Sequence, residues 1–314
     1  MIHSHIQSVT AFAPATSANV AVGFDILGFA LDHIGDTVKL SRRADKKIVI
    51  NSIQANENLP FEIDKNTASW VLEKFCQDLK LDFGFSIDIK KGIPLCSGMG
   101  GSAASAVAAL VAANQFLTDP LSLDELANYA LKGEELASGQ AHADNIVPCL
   151  WGGVTLIHLT TPFQVISLPT PPLYCVLVHP HLHVATKTAR KILKPEIPLK
   201  DYIQQSSHLA ATISALYRQD LNLLKVSLID MLIEPQRSQF IPGFYNIKQA
   251  ALDTGAIAMS LSGSGPSLFA FAENEKLATR ISEVIQNELM KEKVESDCWV
   301  SKINPNGAAV IEIK

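Results

Sequence analysis

Residues 94–110 read "PLCSGMGGSAASAVAAL", and the interpretation of the whole chain starts from this segment. Three glycines, Gly98, Gly100 and Gly101, separate a strand-like segment from a helix-like one. Glycine lets backbone N–H groups approach an anion closely, and a helix that begins near Ser102 directs its positive end toward the same place. The segment therefore favours a phosphate site, with a tight packing turn as the competing interpretation.

A dinucleotide site is a third interpretation, because Gly98, Gly100 and Ala103 satisfy the loose pattern GxGxxA. However, Pro94 interrupts the approach to the turn, and the nearest acidic residue, Asp124, lies at the start of another helix instead of after a second strand. The P-loop pattern is absent, because no lysine follows the glycines. An NAD-dependent dehydrogenase therefore stays a distant alternative.

The composition predicts a well-buried protein of about two domains, since the chain has 314 residues and 47% of them are apolar. A net charge of −5 argues against nucleic acid or an anionic membrane surface as the main partner. The five cysteines are odd in number and form no CxxC pair, which predicts free thiols and a cytoplasmic location. No signal peptide is evident at the start, and the longest apolar run, residues 103–117, is too short to span a bilayer.

Alternating apolar and polar residues predict strands, and helical spacing predicts helices, in a mixed order that is typical of an α+β fold. The predicted strands are 85–89, 154–159, 174–178, 256–261, 268–271, 298–303 and 309–313, and the predicted helices are 103–117, a helix capped by Ser122 and Glu125, 201–217, 220–233 and 276–291. Helix 103–117 is apolar on every side and should be buried. A proline-rich stretch near 162–172 is the expected domain boundary.

Two other segments resemble known motifs when they are taken together with the glycine segment. They are "APATSANVAVGFDILGF" at 13–29 and "SLSGSGPS" at 260–267, and the order and spacing of the three are similar to those of the GHMP kinases. Within that superfamily, "HADNIVPCLWGG" at 142–153, "ATKTARKILKP" at 185–195 and "DMLIEPQRSQFIPG" at 230–243 resemble the homoserine kinases. The resemblance runs from about residue 10 to residue 305. It departs at Gly101, where the first of two serines is usual, and at Met99, where leucine is usual.

The resemblance implies a two-domain α+β kinase. Residues 1–168 would form a ribosomal S5 domain 2-like domain with a left-handed βαβ crossover, and residues 169–314 a ferredoxin-like domain, with the active site in the cleft between them. The implied reaction transfers the γ-phosphate of ATP to the side-chain hydroxyl of L-homoserine and gives O-phospho-L-homoserine for threonine synthesis. ATP and Mg²⁺ would be required, and a homodimer is expected because members of the family are commonly dimers.

The resemblance also implies roles for individual residues. The expected ATP-binding residues are Pro94, Leu95, Cys96, Ser97, Gly98, Met99, Gly100, Gly101, Ser102, Ala103 and Ala104. The expected substrate-binding residues are Asn19, Asp25, His142, Asp144, Thr186, Arg190 and Arg237, of which the two arginines suit a carboxylate. Ser102 and Glu134 are the expected Mg²⁺ ligands and, with Asp144, the expected catalytic residues.

Several alternatives stay open from the sequence. Glu135 competes with Glu134 as the metal ligand, and Asp144 is either a general base or a group that only holds the substrate. His142 could be only a hydrogen-bonding residue of the pocket. Rival functions are a sibling kinase for another small alcohol and a non-catalytic ligand-sensing member of the fold. Alternating His179, His181 and His183 suit a surface run at a strand end better than a metal site.

Overall fold

The computed structural model describes residues 2–139 and 142–314, and this part of the chain forms two β-sheets and ten α-helices. The first half contains strands β1 (Ser8–Ala18), β2 (Leu27–Arg43), β3 (Ile48–Gln54), β4 (Gly84–Lys90), β5 (Val154–Thr160) and β6 (Phe163–Leu168), with helices α1 (Thr67–Asp78), α2 (Gly101–Asn114), α3 (Leu123–Ser138) and α4 (Ile146–Trp151). The second half contains β7 (Tyr174–Pro180), β8 (Ala258–Leu261), β9 (Leu268–Ala272), β10 (Ser296–Lys302) and β11 (Ala309–Ile313), with α5 (Thr186–Lys191), α6 (Leu199–Arg218), α7 (Leu221–Ser227), α8 (Glu234–Arg237), α9 (Phe244–Thr254) and α10 (Glu275–Lys291).

The larger sheet has the strand order β11-β1-β2-β4-β3, and β5 and β6 extend it from the first residues of β2. All its pairs are antiparallel except β3 with β4, which are joined through α1. The last strand of the chain, β11, returns to this sheet and pairs with β1. The division of the chain at residues 168 and 169 stays a prediction.

Helix α2 lies at the centre of the first half. It packs on β1 and β2 and against α1 and α3, and its side chains from Ala103 to Leu110 are all buried. This confirms the prediction that an apolar helix follows the glycines. The predicted cap of the next helix is also confirmed, since Ser122 Oγ accepts the Glu125 N–H at 3.3 Å and Glu125 Oε2 accepts the Ser122 N–H at 2.8 Å.

The smaller sheet is antiparallel with the order β10-β7-β9-β8, and its chain order of strand, helices, two strands, helix and strand is ferredoxin-like. Alternate residues of β7 face two different cores. Leu177 packs in the core of the larger sheet, whereas Val176 and Val178 pack under α9 and α10. Both faces of the smaller sheet are therefore covered, and the predicted two-part α+β architecture is confirmed.

One predicted helix, residues 220–233, is wrong. Helix α7 ends at Ser227, and a new turn, α8, begins only at Glu234. The cause is Asp230, whose carboxylate accepts the N–H groups of Leu232 at 2.9 Å and Glu234 at 2.7 Å. An aspartate that captures backbone donors in this way starts a helix and does not continue one.

Two further predictions concern membrane-spanning helices and the state of the cysteines. None of the helices in the described residues is both long and apolar enough to cross a membrane. The five cysteines are free thiols, as predicted, and Cys149 and Cys175 are buried.

A buried ion pair joins β2 to the segment that precedes the glycines. The Lys91 ammonium contacts the Asp36 carboxylate, and the two side chains are 6% and 0% exposed. Asp36 also accepts the N–H of Gly92 at 3.0 Å and the hydroxyl of Ser105 at 2.7 Å, while Lys91 donates to the carbonyl of Gly101 at 2.8 Å. These bonds hold the start of α2 against the end of β4.

Replacing Lys91 should therefore destabilise the protein strongly. Lys91→Met leaves the Asp36 carboxylate buried without its cation, which costs about 3–5 kcal/mol. Urea denaturation followed by circular dichroism measures the loss, and Lys90→Met, which alters an exposed neighbour on β4, is the matched control. Equal stability of the two variants would contradict a structural role for the pair.

Candidate active site

The three motif segments, far apart in the sequence, meet in the structure. Ser262 Oγ donates to the carbonyl of Gly98 at 2.8 Å, which joins the third segment to the second. Asn19 Nδ2 donates to the carbonyl of Gly263 at 2.9 Å, which joins the first segment to the third. The convergence expected from the motifs is therefore present in the fold.

Two of the three glycines of the loop have packing reasons to be glycine. Gly98 has φ +75°, and a Cβ there would lie 2.5 Å from the carbonyl oxygen of Ser262. Gly100 has φ +70°, and a Cβ there would lie 2.9 Å from Asn145 Oδ1. Gly101 is different, because the nearest atom to an added Cβ is a methyl of Ile93 at 3.2 Å. The packing-turn interpretation thus holds for Gly98 and Gly100, but it does not explain Gly101.

A cavity of about 590 Å³ lies at this convergence. Most of the residues expected at the site line it, namely Asn19, Asp25, Pro94, Leu95, Cys96, Ser97, Gly98, Gly100, Gly101, Ser102, Glu134, His142, Asp144, Thr186, Arg190 and Arg237. Met99, Ala103 and Ala104 are not brought to the cavity, since their side chains are 0%, 2% and 0% exposed in the core behind the wall. Their assignment to ATP binding stays a prediction.

Asp25 and Arg190 form a two-pronged ion pair in the cavity. The Arg190 nitrogens donate to the two carboxylate oxygens at 2.8 and 2.6 Å, and the hydrogen bond to Asp25 raises the pKa of Arg190. Asp25 has φ 64°, and its N–H donates to Asn19 Oδ1 at 3.1 Å. Both polar atoms of the Asn19 amide therefore form hydrogen bonds: the oxygen accepts from the Asp25 N–H, and the nitrogen donates to the Gly263 carbonyl.

Arg237 is buried at the end of α8 and faces the same cavity. Its Nε donates to the carbonyl of Ala189 at 3.2 Å and its Nη1 to the carbonyl of Gly263 at 3.1 Å. Burial lowers the pKa of Arg237 to about 10, with Arg190 contributing by repulsion. Among the described residues Arg237 is in no ion pair and its hydrogen bonds go to neutral carbonyls, while Asp25, Asp144 and Asp230 act on its charge through longer-range attraction.

Asp144 is a buried carboxyl group that also lines the cavity. It is 5% exposed, and its Oδ1 has no hydrogen-bond partner within the described residues. Burial raises the pKa of Asp144 to about 7, with further contributions from the negative charges of Asp25 and Glu134. Burial also lowers the pKa of the neighbouring His142, whose Nε2 is likewise unpartnered in residues 2–139 and 142–314.

The two expected metal ligands are in contact. Ser102 Oγ, in the first turn of α2, donates to Glu134 Oε2 on α3 at 3.0 Å, and both residues line the cavity. Glu135 is exposed on the same helix and is not part of the cavity wall. The geometry thus favours Glu134 over Glu135. Thr186, at the start of α5, lies 3.3 Å from Ser264 of the third segment through its hydroxyl.

Sequence reasoning missed three features of the site. The first is Lys91, which is paired with Asp36 and lines the cavity. The second is the hydrogen bond that Thr16 Oγ1 donates to Asn145 Oδ1 at 2.8 Å. The third is the Phe24 ring, which lies beside both Arg190 and Arg237. Thr16, Phe24 and Asn145 stand inside quoted motifs, which was the available signal, whereas Lys91 precedes the glycine segment. Their partners are distant in sequence, so no local pattern could have assigned the contacts.

The alternating histidines do not form a metal site. Only His179 lies on β7, where it is buried and 3.2 Å from Ser267 Oγ, while His181 is exposed and 3.1 Å from Asp297. Across the described part of the chain, no group of three histidine, cysteine, aspartate or glutamate side chains could hold a metal ion. The prediction of a surface run at a strand end is wrong for His179, which is buried.

Comparison with known proteins identifies the class of this fold and site. Residues 66–153 match the family model "GHMP kinases N terminal domain", and residues 212–292 match "GHMP kinases C terminal". A mevalonate kinase structure from L. major superposes with a TM-score of 0.70 over 97% of this chain and 99% of that chain, at 15% identity, which shows a shared fold alone. The molecule is thus a kinase of the GHMP class.

More similar proteins narrow the class. The homoserine kinase of Chlorobium phaeobacteroides is 44% identical over 98% of this chain and 100% of that protein. A crystal structure of homoserine kinase from Cytophaga hutchinsonii superposes with a TM-score of 0.94, at 41% identity and 99% coverage of both chains. The chain belongs to the homoserine kinase family.

The raised pKa of Asp144 predicts a pH-dependent stability. Between the ordinary pKa of 3.8 and the raised value of about 7, the folded protein binds more protons than the unfolded chain, so the free energy of unfolding falls as pH rises. Asp144→Asn cannot ionise and escapes this loss. The stability of the variant relative to the unaltered protein should therefore be greater at pH 8 than at pH 5, by about 3 kcal/mol.

Denaturant melts of both proteins without ligands, at the two pH values, measure this difference. Asp124→Asn, which alters an exposed aspartate on α3, is the control and should show the same relative stability at both pH values. A constant difference for Asp144→Asn would mean that its carboxylate is ionised across the whole range.

Proposed function

We propose that the protein transfers the γ-phosphate of ATP to the side-chain hydroxyl of L-homoserine, giving ADP and O-phospho-L-homoserine for threonine synthesis. The observation that carries the proposal is the meeting of Asp25, Arg190 and Arg237 in one cavity with the glycine loop. A zwitterionic amino acid needs an anion for its ammonium and cations for its carboxylate, and a phosphate donor needs the loop. Both requirements meet here, and the family relationship agrees with them.

The charges of the cavity suggest how the amino acid is held. Arg237 offers its remaining N–H donors to the substrate carboxylate, and Arg190 offers those not used by Asp25, because a guanidinium carries five donors in all. The ammonium then lies by the Asp25 carboxylate, which Asn19 fixes in position. His142 and Thr186 complete the pocket as hydrogen-bonding residues at its wall.

The glycine loop and α2 suggest where ATP lies. Gly101 and Ser102 stand at the first turn of a 14-residue helix whose N-terminal N–H groups and dipole favour a phosphate. Cys96, Ser97 and Gly98 line the approach to this turn. Met99, Ala103 and Ala104 support the loop from the core side, so their contribution to ATP binding would run through the backbone.

We propose that Mg²⁺ accompanies ATP at Ser102 and Glu134. The donor set fits, since both groups present oxygen atoms, 3.0 Å apart, at the cavity wall, and Mg²⁺ prefers oxygen ligands completed by water and phosphate. The ion would supply neutralisation of the charge that develops between the β- and γ-phosphates. The chain's own contribution is to hold the two oxygens beside the loop.

Asp144 is suited to receive the proton of the substrate hydroxyl. During transfer the bond from the hydroxyl oxygen to the γ-phosphorus forms, the bond from that phosphorus to the bridging oxygen breaks, and the hydroxyl proton must leave. Asp144 Oδ1 is unpartnered within the described residues, and its pKa of about 7 is close to that expected of an effective base at neutral pH. We therefore favour Asp144 as the general base over the alternative that it only binds the substrate.

The proposal includes a cytoplasmic location and a homodimer. The free cysteines support a reducing compartment. Exposed apolar side chains at the start of α6, with Leu199 72% and Ile203 58% exposed, support a surface that a second copy could cover.

The proposed substrate is tested by a coupled assay of ADP release with Mg²⁺-ATP. L-Homoserine should be preferred over mevalonate and galactose by about 10⁴-fold in kcat/KM, because substrates without the ammonium or the carboxylate leave buried charges unpaired. Product is confirmed by ³¹P NMR of the phosphate ester. Activity on mevalonate with none on homoserine would instead assign a sibling kinase.

The proposed metal ligand is tested by two adjacent alanine variants. Glu134→Ala should lose about 100-fold or more in kcat, because displacement of a single ligand misplaces the reacting phosphate. Glu135→Ala is the matched control and should keep nearly full activity, since Glu135 is exposed beside the cavity. The reverse pattern, with both proteins equally folded by circular dichroism, would show that Glu135 is the ligand.

A further inference from the structure

Phe24 has a placement that hydrophobic packing does not explain. It lies in the turn between β1 and β2, directly before Asp25, and its side chain is half-buried. Its neighbours Val22 and Leu27 belong to the main hydrophobic core. Within the described residues, Phe24 belongs to neither of the two hydrophobic cores nor to the apolar side chains packed against them.

The partners of the Phe24 ring are two cations. The guanidinium carbon of Arg190 lies 4.9 Å from the ring centroid, and that of Arg237 lies 5.1 Å from it. Both distances are inside the roughly 6 Å within which a cation is attracted by the quadrupole of an aromatic ring. One aromatic side chain therefore touches both arginines of the cavity.

The two guanidinium groups repel each other, and their positive charges have different hydrogen-bond partners. Arg190 is paired with Asp25 through two hydrogen bonds, whereas Arg237 bonds only the neutral carbonyls of Ala189 and Gly263. A carboxylate hydrogen-bonded to Arg237 would occupy its N–H donors and compete with an incoming anion. A ring attracts the guanidinium while leaving its formal charge available.

We infer that Phe24 is a positioning residue for the substrate carboxylate: its ring holds Arg190 and Arg237 side by side while the remaining N–H donors of Arg237 stay available to a ligand. The inference rests on the proposed function, because it takes the carboxylate to be that of the amino-acid substrate. Both cation contacts of the ring are with arginines that lie outside the glycine loop and outside the Ser102–Glu134 pair, so we expect ATP binding to be independent of it.

The experiment compares Phe24→Leu, which keeps an apolar side chain without the ring, with Phe24→Tyr, which keeps the ring. Phe24→Leu should raise the KM for L-homoserine about 5- to 30-fold, the range that two partly buried cation–π contacts support. The KM for ATP should stay within about two-fold, and Phe24→Tyr should restore the KM for homoserine. Phe12→Leu, a half-buried ring on β1 away from the cavity, is the matched control.

A second substrate separates positioning from a general loss of structure. 3-Aminopropan-1-ol has the ammonium and hydroxyl of homoserine without the carboxylate, so its kcat/KM should be nearly unchanged by Phe24→Leu. The preference for homoserine over this amine should therefore shrink in the variant. An equal fall for both substrates, or no change in the KM for homoserine, would overturn the inference while leaving the kinase activity intact. Absence of homoserine phosphorylation by the unaltered protein would instead overturn the proposed function and this inference with it.

Discussion

The geometry of the site depends on the buried pair of Asp36 and Lys91. Asp36 lies on β2 and accepts the N–H of Gly92 and the hydroxyl of Ser105, while Lys91 donates to the carbonyl of Gly101. These contacts secure the segments on both sides of the glycine loop. A buried ion pair seldom stabilises a protein more than apolar residues of the same volume would. Its value here is geometric, because it fixes the first turn of α2, where Ser102 meets Glu134, relative to the larger sheet.

The glycine loop is shaped by packing and also borders the cavity, which is why its sequence alone was ambiguous. Gly98 and Gly100 have left-handed backbones against Ser262 and Asn145, so glycine would be required there in a protein that bound no phosphate. At Gly101 an added Cβ would need Ile93 to yield by only a few tenths of an ångström, so packing gives a weaker reason for glycine there. The support for a phosphate site in addition to a packing turn comes from the cavity beside the loop, which no local pattern encodes.

The sequence predicted the elements whose signals are local. The capping box of Ser122 and Glu125, helix α10 and the strands β4 and β7 followed from periodicity and composition. The strands β1 to β3 and β6 were not identified. Most residues of β1 are buried on both faces and show no alternation, whereas β2 and β3 alternate in part, so that signal was available and was not used. The break after α7 was missed because it depends on Asp230, whose carboxylate accepts three backbone N–H groups in competition with a continued helix.

Asp25, Arg190 and Arg237 were found through motif resemblance, since spacing alone carries no information about residues that meet only in the folded chain.

The cavity concentrates charges that a structural interior would avoid. Asp25, Asp144 and Glu134 all line it, and repulsion by Asp25 and Glu134 adds to burial in raising the pKa of Asp144. Arg190 is paired with Asp25, whereas Arg237 is in no ion pair among the described residues and is held by two carbonyls and an aromatic ring, with Asp25, Asp144 and Asp230 attracting it from a longer distance. Strongly perturbed groups of opposite sign in a cleft are costly, and they persist where a ligand or a reaction uses them. This distribution of charge also determines which groups a ligand of the cavity should carry. The N–H donors of Arg237 suit a carboxylate, the Asp25 carboxylate suits an ammonium, and Asp144 suits a group that gives up a proton. A small amino acid with a terminal hydroxyl offers all three.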